Sequence, residues 1–121
     1  MSLPWTWDVP YFLPYDDEAP VPVAPMVLYR YYDDQGRLLY VGITNSFKER
    51  NAKHAAASPW IIFATRSTTE SFPARRDAEE AERSAIWSER PLFNSQRNRT
   101  PWARQRLSVY LVERGRLDLL P

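Results

Sequence analysis

A small mixed α/β (α+β) domain, with antiparallel strands packed by helices, is the fold class this sequence predicts. Two runs rich in Val, Leu, Ile and Tyr, residues 26–32 and 37–43, flank the turn-forming Asp33-Asp34-Gln35-Gly36. Segments with helical spacing follow, each bounded by cap or stop residues. At 121 residues there is room for one domain and a tail, and not for two independent cores.

The elements follow in order. Residues 1–25 form an arm expected to lie extended across the body: six of the eleven prolines fall there, interleaved with Trp5, Trp7, Tyr11, Phe12 and Tyr15. Proline at that density removes donors and fixes φ, so neither a helix nor a central strand is expected. The two strand-like runs make a β-hairpin. If Tyr32 faces Arg37 across the loop, Tyr29 falls opposite Tyr40 and the two phenols share a face. Ser46 with Glu49 three residues on fits a capping box, opening a helix that runs to about Ala57 and stops before Pro59. Residues 60–65 look like a third strand. Helical spacing returns from Ala74 to Arg90, with Ala78, Ala81, Ala85 and Ile86 on one stripe and Pro91 as terminator. Thr100 and Pro101 announce a last helix, ending near Arg114 before Gly115, with Trp102, Leu107, Tyr110 and Leu111 as its buried side.

Bulk properties narrow the function classes. No run of about 18 apolar residues occurs, so no membrane span is expected. No basic segment precedes an apolar run at the N-terminus, so a cytoplasmic location is the default expectation. The absence of Cys excludes disulfides and thiolate sites, and His54, the single histidine, excludes a His-cluster zinc site. Net charge is only +1, but it is unevenly spread. Residues 1–26 carry four acids and no bases (−4), whereas residues 27–121 carry all 16 bases against 11 acids (+5). A basic body with an acidic arm suits a polyanion partner.

Several side chains sit where packing alone does not require them. Glu82 falls inside the apolar stripe of its helix, and a carboxylate there needs a cation, a metal or several donors. A solvated salt bridge is the plainer explanation, as half-buried packing is for the phenols Tyr29 and Tyr40. Arg50 and His54, four apart, project from one helix face. Together they describe a site with a phenol to handle a proton, an Arg to hold a phosphate and a carboxylate to fix a divalent cation.

The spacing of these residues resembles that of a known family. Val27-Leu28-Tyr29 and Tyr40-Val41-Gly42 resemble the paired tripeptides that name the GIY-YIG nucleases. Arg50 lies eight residues after Gly42 and His54 four further on, where that family places its Arg and a frequent His. Ala78, Glu82, Ile86, Pro91 and Asn94 resemble its metal-binding helix and closing Asn. The resemblance covers residues 26–95, with Val27 in place of the first tripeptide's structural Gly. It implies a three-stranded antiparallel sheet from residues 26–32, 37–43 and 60–65, and a core of residues 26–97 followed by an Arg-rich helix over 98–121.

The resemblance also implies roles. Glu82 would hold a catalytic Mg²⁺ or Mn²⁺, with water and a substrate phosphate completing the shell. Arg50 would stabilise charge on phosphoryl oxygens. Tyr29 would activate the attacking water with Tyr40 assisting, its high pKa lowered by cations such as His54 or Lys48. Gly42 would leave room for substrate, and Asn94 would tie the last loop to the core. DNA, single- or double-stranded, is the implied substrate, with Lys48, Lys53, Arg97, Arg99 and Arg104 as phosphate contacts. With no room for a separate DNA-reading domain, the alternatives are a nonspecific or structure-selective nuclease, a subunit recruited by a protein partner or paired as a homodimer, and a preference encoded in the arm and C-terminal helix. The rival readings are a catalytically silent nucleic-acid-binding module and a protein-interaction module on the same fold.

Overall fold

The computed structural model of the chain describes residues 25–94 and 100–120. The expectations for the arm, and for Arg97 and Arg99, lie outside the described residues. Strand β1 (Met26–Tyr32) is central, flanked by β2 (Leu38–Thr44) and β3 (Arg66–Phe72) in an antiparallel sheet of order β2-β1-β3. Three helices complete the fold: α1 (Phe47–Ala57), α2 (Arg75–Glu89) and α3 (Pro101–Glu113). This is the mixed α/β class expected, with three antiparallel strands.

The third strand is not where the sequence suggested. Residues 60–65 fall largely in a 3-10 turn, Pro59–Phe63, and the strand follows at Arg66–Phe72. The apolar run misled because Trp60 and Phe63, three apart, are both buried, which matches a three-residue turn and not strand alternation. The true strand, Arg-Ser-Thr-Thr-Glu-Ser-Phe, is an exposed edge with no apolar alternation to betray it. Polar residues suit such an edge because they discourage pairing with another chain.

Alternation along β1 separates two layers. Leu28 packs with Val41, Ala85 and Ile86, and Arg30 forms a two-pronged ion pair with Glu89 at 2.9 and 2.7 Å, so α2 covers that face. Tyr29 and Tyr31 point the other way, into a cluster with Leu39, Trp60, Phe63, Leu107, Tyr110 and Leu111. Fully burying side chains such as Leu39 and Val41, both 0% exposed, contributes about 1.5–3 kcal/mol each.

The hairpin register differs from expectation by two residues. Tyr29 faces Gly42, and Tyr40 faces Tyr31. Two single steps add up to this. The loop closes between Asp33 and Arg37, where the Asp33 N–H donates to the Arg37 carbonyl at 3.0 Å. An irregularity between Tyr31 and Tyr32 then places Leu39 as an extra residue on β2. Because side chains alternate with period two, a two-residue shift leaves Tyr29 and Tyr40 on one face as diagonal neighbours.

Asp33 explains why the loop closes there. Its carboxylate accepts from the Gln35 and Arg37 N–H groups at 2.9 and 2.8 Å, from the Tyr110 hydroxyl at 2.8 Å and from Arg114 at 2.7 Å. Burial alone would raise the Asp33 carboxyl, but these hydrogen bonds outweigh it and hold it below the usual carboxylate range. One aspartate thus pins the hairpin to α3.

Helix ends follow the sequence with one exception, at Ser46. Thr100 Oγ1 accepts from the Ala103 N–H at 3.3 Å, and Gly115 takes φ 71° just past the last turn. Ser46 is an N-cap by position, yet its side chain makes no cap hydrogen bond, so the expected capping box is not formed. Instead Thr44 Oγ1 accepts from the Ser46 N–H at 3.0 Å. On α3 the buried residues are Ala103, Leu107, Tyr110 and Leu111, whereas Trp102, expected inside, is 54% exposed.

Candidate active site

The two layers meet at the edge strand β2, and a cavity of about 400 Å³ opens there between α1 and the N-terminal half of α2. Tyr29 comes from β1, Tyr40 and Gly42 from β2, Arg50 from α1 and Glu82 from α2, and all five line this one cavity. Residues far apart in sequence therefore converge because a hairpin and two helices present them to a common space.

Gly42 is what lets the phenol in. A Cβ at that position would lie 3.0 Å from Tyr29 Cε2 and closer still to the phenol carbon and oxygen. No other residue type leaves that space. Asn94 fixes the strand beside it, its side chain accepting from the Val41 N–H and donating to the Val41 carbonyl, both at 2.9 Å. The Leu92 and Phe93 N–H groups donate to the Leu38 and Leu39 carbonyls at 3.1 and 2.8 Å, so residues 92–94 run along the outer edge of β2.

Tyr29 is fully buried, and its hydroxyl is 2.8 Å from His54 Nε2. His54 Nδ1 lies 2.6 Å from Ser58 Oγ one turn further on, so the two ring nitrogens are both engaged. Burial pushes the Tyr29 phenol up, reinforced by Tyr40, while Arg50 pulls it down. Burial and then Arg50 lower His54 below its ordinary value. The cation that draws on the phenol is Arg50. Lys48 does not line the cavity.

Tyr40 is half-buried. It stacks on Trp60 with ring centroids 4.9 Å apart and 13° between planes, meets His54 edge-on at 5.1 Å and stacks on Tyr29 at 6.2 Å. Tyr31, a third phenol, donates to Asn51 Oδ1 and packs on Trp60 at 4.8 Å. The aromatic cluster holds the two cavity phenols in fixed orientation.

Glu82 is 6% exposed and sits on the packing side of α2 with Ala78, Ala85 and Ile86. Sequence reasoning missed its neighbours in the cavity wall, Arg75, Glu79 and Arg83. Glu79 and Arg83 lie within one turn of Glu82, and Arg75 is paired to Glu79 at 3.1 Å. Their positions, i, i+4, i+7 and i+8 through Glu82, were the available signal. Lys48, Lys53 and Arg104 are exposed on α1 and α3 and line no part of the cavity.

The donor set suits a hard divalent cation. Glu82 and Glu79 offer carboxylate oxygens and the phenols hydroxyl oxygens, and the chain has no cysteine. Among the described residues no three His, Asp or Glu side chains converge as a metal cage. One or two carboxylates leave most of a shell to water and phosphate, the arrangement a reluctantly dehydrated Mg²⁺ favours. No protein-family model, curated protein or solved structure matches the chain. No helix among the described residues is long and apolar enough to cross a membrane.

Proposed function

We propose that this protein is a divalent-metal-dependent endonuclease of the GIY-YIG type that hydrolyses phosphodiester bonds in DNA. The observation that carries the reading is the convergence of Tyr29, Tyr40, Arg50 and Glu82 on one polar cavity from four separate elements. Core packing accounts for Tyr29 and Tyr40 but not for Arg50 and Glu82 beside them, whereas phosphoryl transfer needs a proton acceptor, a guanidinium and a metal carboxylate together.

Each residue has a task that follows from its position. Glu82, with Glu79 beside it, would hold Mg²⁺ or Mn²⁺, which when bound supplies Lewis-acid charge stabilisation at the scissile phosphate. Arg50, exposed at the cavity wall, pairs with non-bridging phosphate oxygens. Tyr40, the half-buried phenol, would meet the attacking water, and Tyr29 beside it, with its hydroxyl on His54 Nε2, would offer the route by which the water's proton leaves. Arg75 and Arg83 make the cavity net positive by one charge, three Arg against two Glu, which draws an anionic backbone.

One observation favours a second reading. Tyr29 is fully buried and its phenol is pushed upward, a poor state for a base, which suits a nucleic-acid-binding module without turnover. A cleavage assay on labelled single- and double-stranded DNA, with Mg²⁺, Mn²⁺ or EDTA, separates the two. Metal-dependent products that disappear in Glu82→Gln at matched purity support the nuclease. Binding with no product in either protein would sink it in favour of the silent module.

A further inference from the structure

A second cleft, of about 580 Å³, lies between the start of β2, the end of α2 and α3. Its lining includes Arg37, Leu38, Arg90, Trp102, Arg106 and Val109. Both carboxylates that reach it are already neutralised, Glu113 by Arg37 at 2.9 Å and Glu89 by Arg30 at 2.7 Å. Arg90 and Arg106 meet no carboxylate among the described residues, and Arg106 donates instead to the Arg90 carbonyl at 3.1 Å. The cleft therefore carries cations beside an aromatic ring on its α3 wall, Arg106 four residues after Trp102.

Two tryptophans stand exposed beside it. Trp102 is 54% and Trp87 71% exposed, although a large apolar ring is among the costliest groups to leave in water. Arg90 joins them: it lines the cleft with Trp102, and its guanidinium lies 5.9 Å from the Trp87 ring centroid. Arg90 is also the only non-glycine residue with positive φ among the described residues, at 52° where α2 ends. Gly would take that position at roughly 1 kcal/mol less cost, so the side chain has a use there.

The patch connects to the cavity. Arg83 lines the Glu82 cavity, Trp87 follows it at i+4 on the same face of α2, and Arg90, just past the end of the helix, lies over the Trp87 ring. Arg83 to Arg90 covers about 10 Å along the helix. Alternating cations and open aromatic faces are what an unpaired nucleic-acid strand needs, because bases stack on rings while phosphates meet guanidinium groups. A duplex hides its base faces and has no use for Trp87 or Trp102.

We infer that Trp87, Arg90, Trp102 and Arg106 form a track for single-stranded DNA leading to the Glu82 cavity. The inference rests on the nuclease reading for its choice of DNA, but its test does not require turnover. The full chain is titrated in EDTA with a fluorescein-labelled thymidine oligonucleotide and with a duplex of equal length, following anisotropy and tryptophan quenching. Wild type is expected to prefer the single strand and to lose tryptophan emission on binding. Trp102→Ala and Trp87→Ala should each weaken single-strand binding about tenfold or more, Trp102→Phe much less, with duplex binding unmoved. Unchanged single-strand affinity in both alanine variants, or no single-strand binding by wild type, overturns the track. So does a wild-type dimer in sedimentation that becomes monomeric in the double variant while single-strand affinity stays the same, which assigns the tryptophans to a second copy of the chain. Binding as expected with no cleavage under Mg²⁺ would leave the track standing and remove the nuclease. Metal-dependent cleavage of single strands that is unchanged in both alanine variants would do the reverse.

Discussion

Gly42→Ala is the smallest change with the largest expected consequence. The added methyl would occupy space already held by the Tyr29 ring and hydroxyl, with the ring Cε2 at 3.0 Å the most distant of its three nearest atoms. Tyr29 cannot swing into solvent, because it is 0% exposed and walled by Tyr31, Phe47 and His54 at centroid distances of 5.7, 5.5 and 5.6 Å. Overpacking of this kind costs about 1–3 kcal/mol. Displacing the phenol also breaks its 2.8 Å contact with His54 Nε2, a further loss of about 1 kcal/mol. The sum, about 2–4 kcal/mol, corresponds to a melting temperature lower by about 10–20 °C for a domain of this size. Urea denaturation followed by tryptophan fluorescence measures it directly. Tyr29→Phe removes the oxygen that the methyl meets first, so the double variant should be less destabilised than the two single changes added together. If Gly42→Ala melts within about 2 °C of wild type, the close approach does not constrain the site and the reasoning fails.

Three further predictions test other parts of the structure. Arg50→Lys keeps the charge and loses the planar fork, so kcat should fall about 100-fold with little change in KM; equal activity would remove Arg50 from transition-state stabilisation. Asn94→Ala orphans the buried Val41 N–H and carbonyl, at about 1–3 kcal/mol, and should speed hydrogen exchange at the Val41 amide; unchanged exchange there would show that the edge of β2 does not depend on it. Asp33 has a lowered folded pKa, so its contribution to stability is complete above about pH 4 and is lost as pH falls through the folded value. Asp33→Asn should therefore lower the urea midpoint at pH 7 and flatten its decline below pH 4, and an unaltered acid slope would contradict the assignment.

Local chemistry was legible in the sequence. The first strand, the turn at residues 33–36, the three helices and the stops at Pro91 and Gly115 follow from β-branched runs, caps and breakers, which act within a few residues. Glu82 stood out because a carboxylate inside an apolar stripe conflicts with its neighbours, a conflict visible without coordinates. Tyr29 and Tyr40 were placed on one face by period-two alternation, and that survived a register error because the error was two residues.

Tertiary structure decided what depends on partners distant in the chain. The third strand is polar and exposed, so only pairing with β1 makes Arg66–Phe72 a strand at all. The hairpin register depends on Asp33, which Tyr110 and Arg114, some 80 residues downstream, draw into the core. Trp102 was expected inside because helical spacing finds a stripe without saying how wide the contact is, and α3 buries Ala103 instead. The cavity itself belongs to this second class. Whether Tyr29, Gly42, Arg50 and Glu82 share a space is settled by how two layers close around an edge strand, and that closure is a property of packing between elements, which no local pattern encodes.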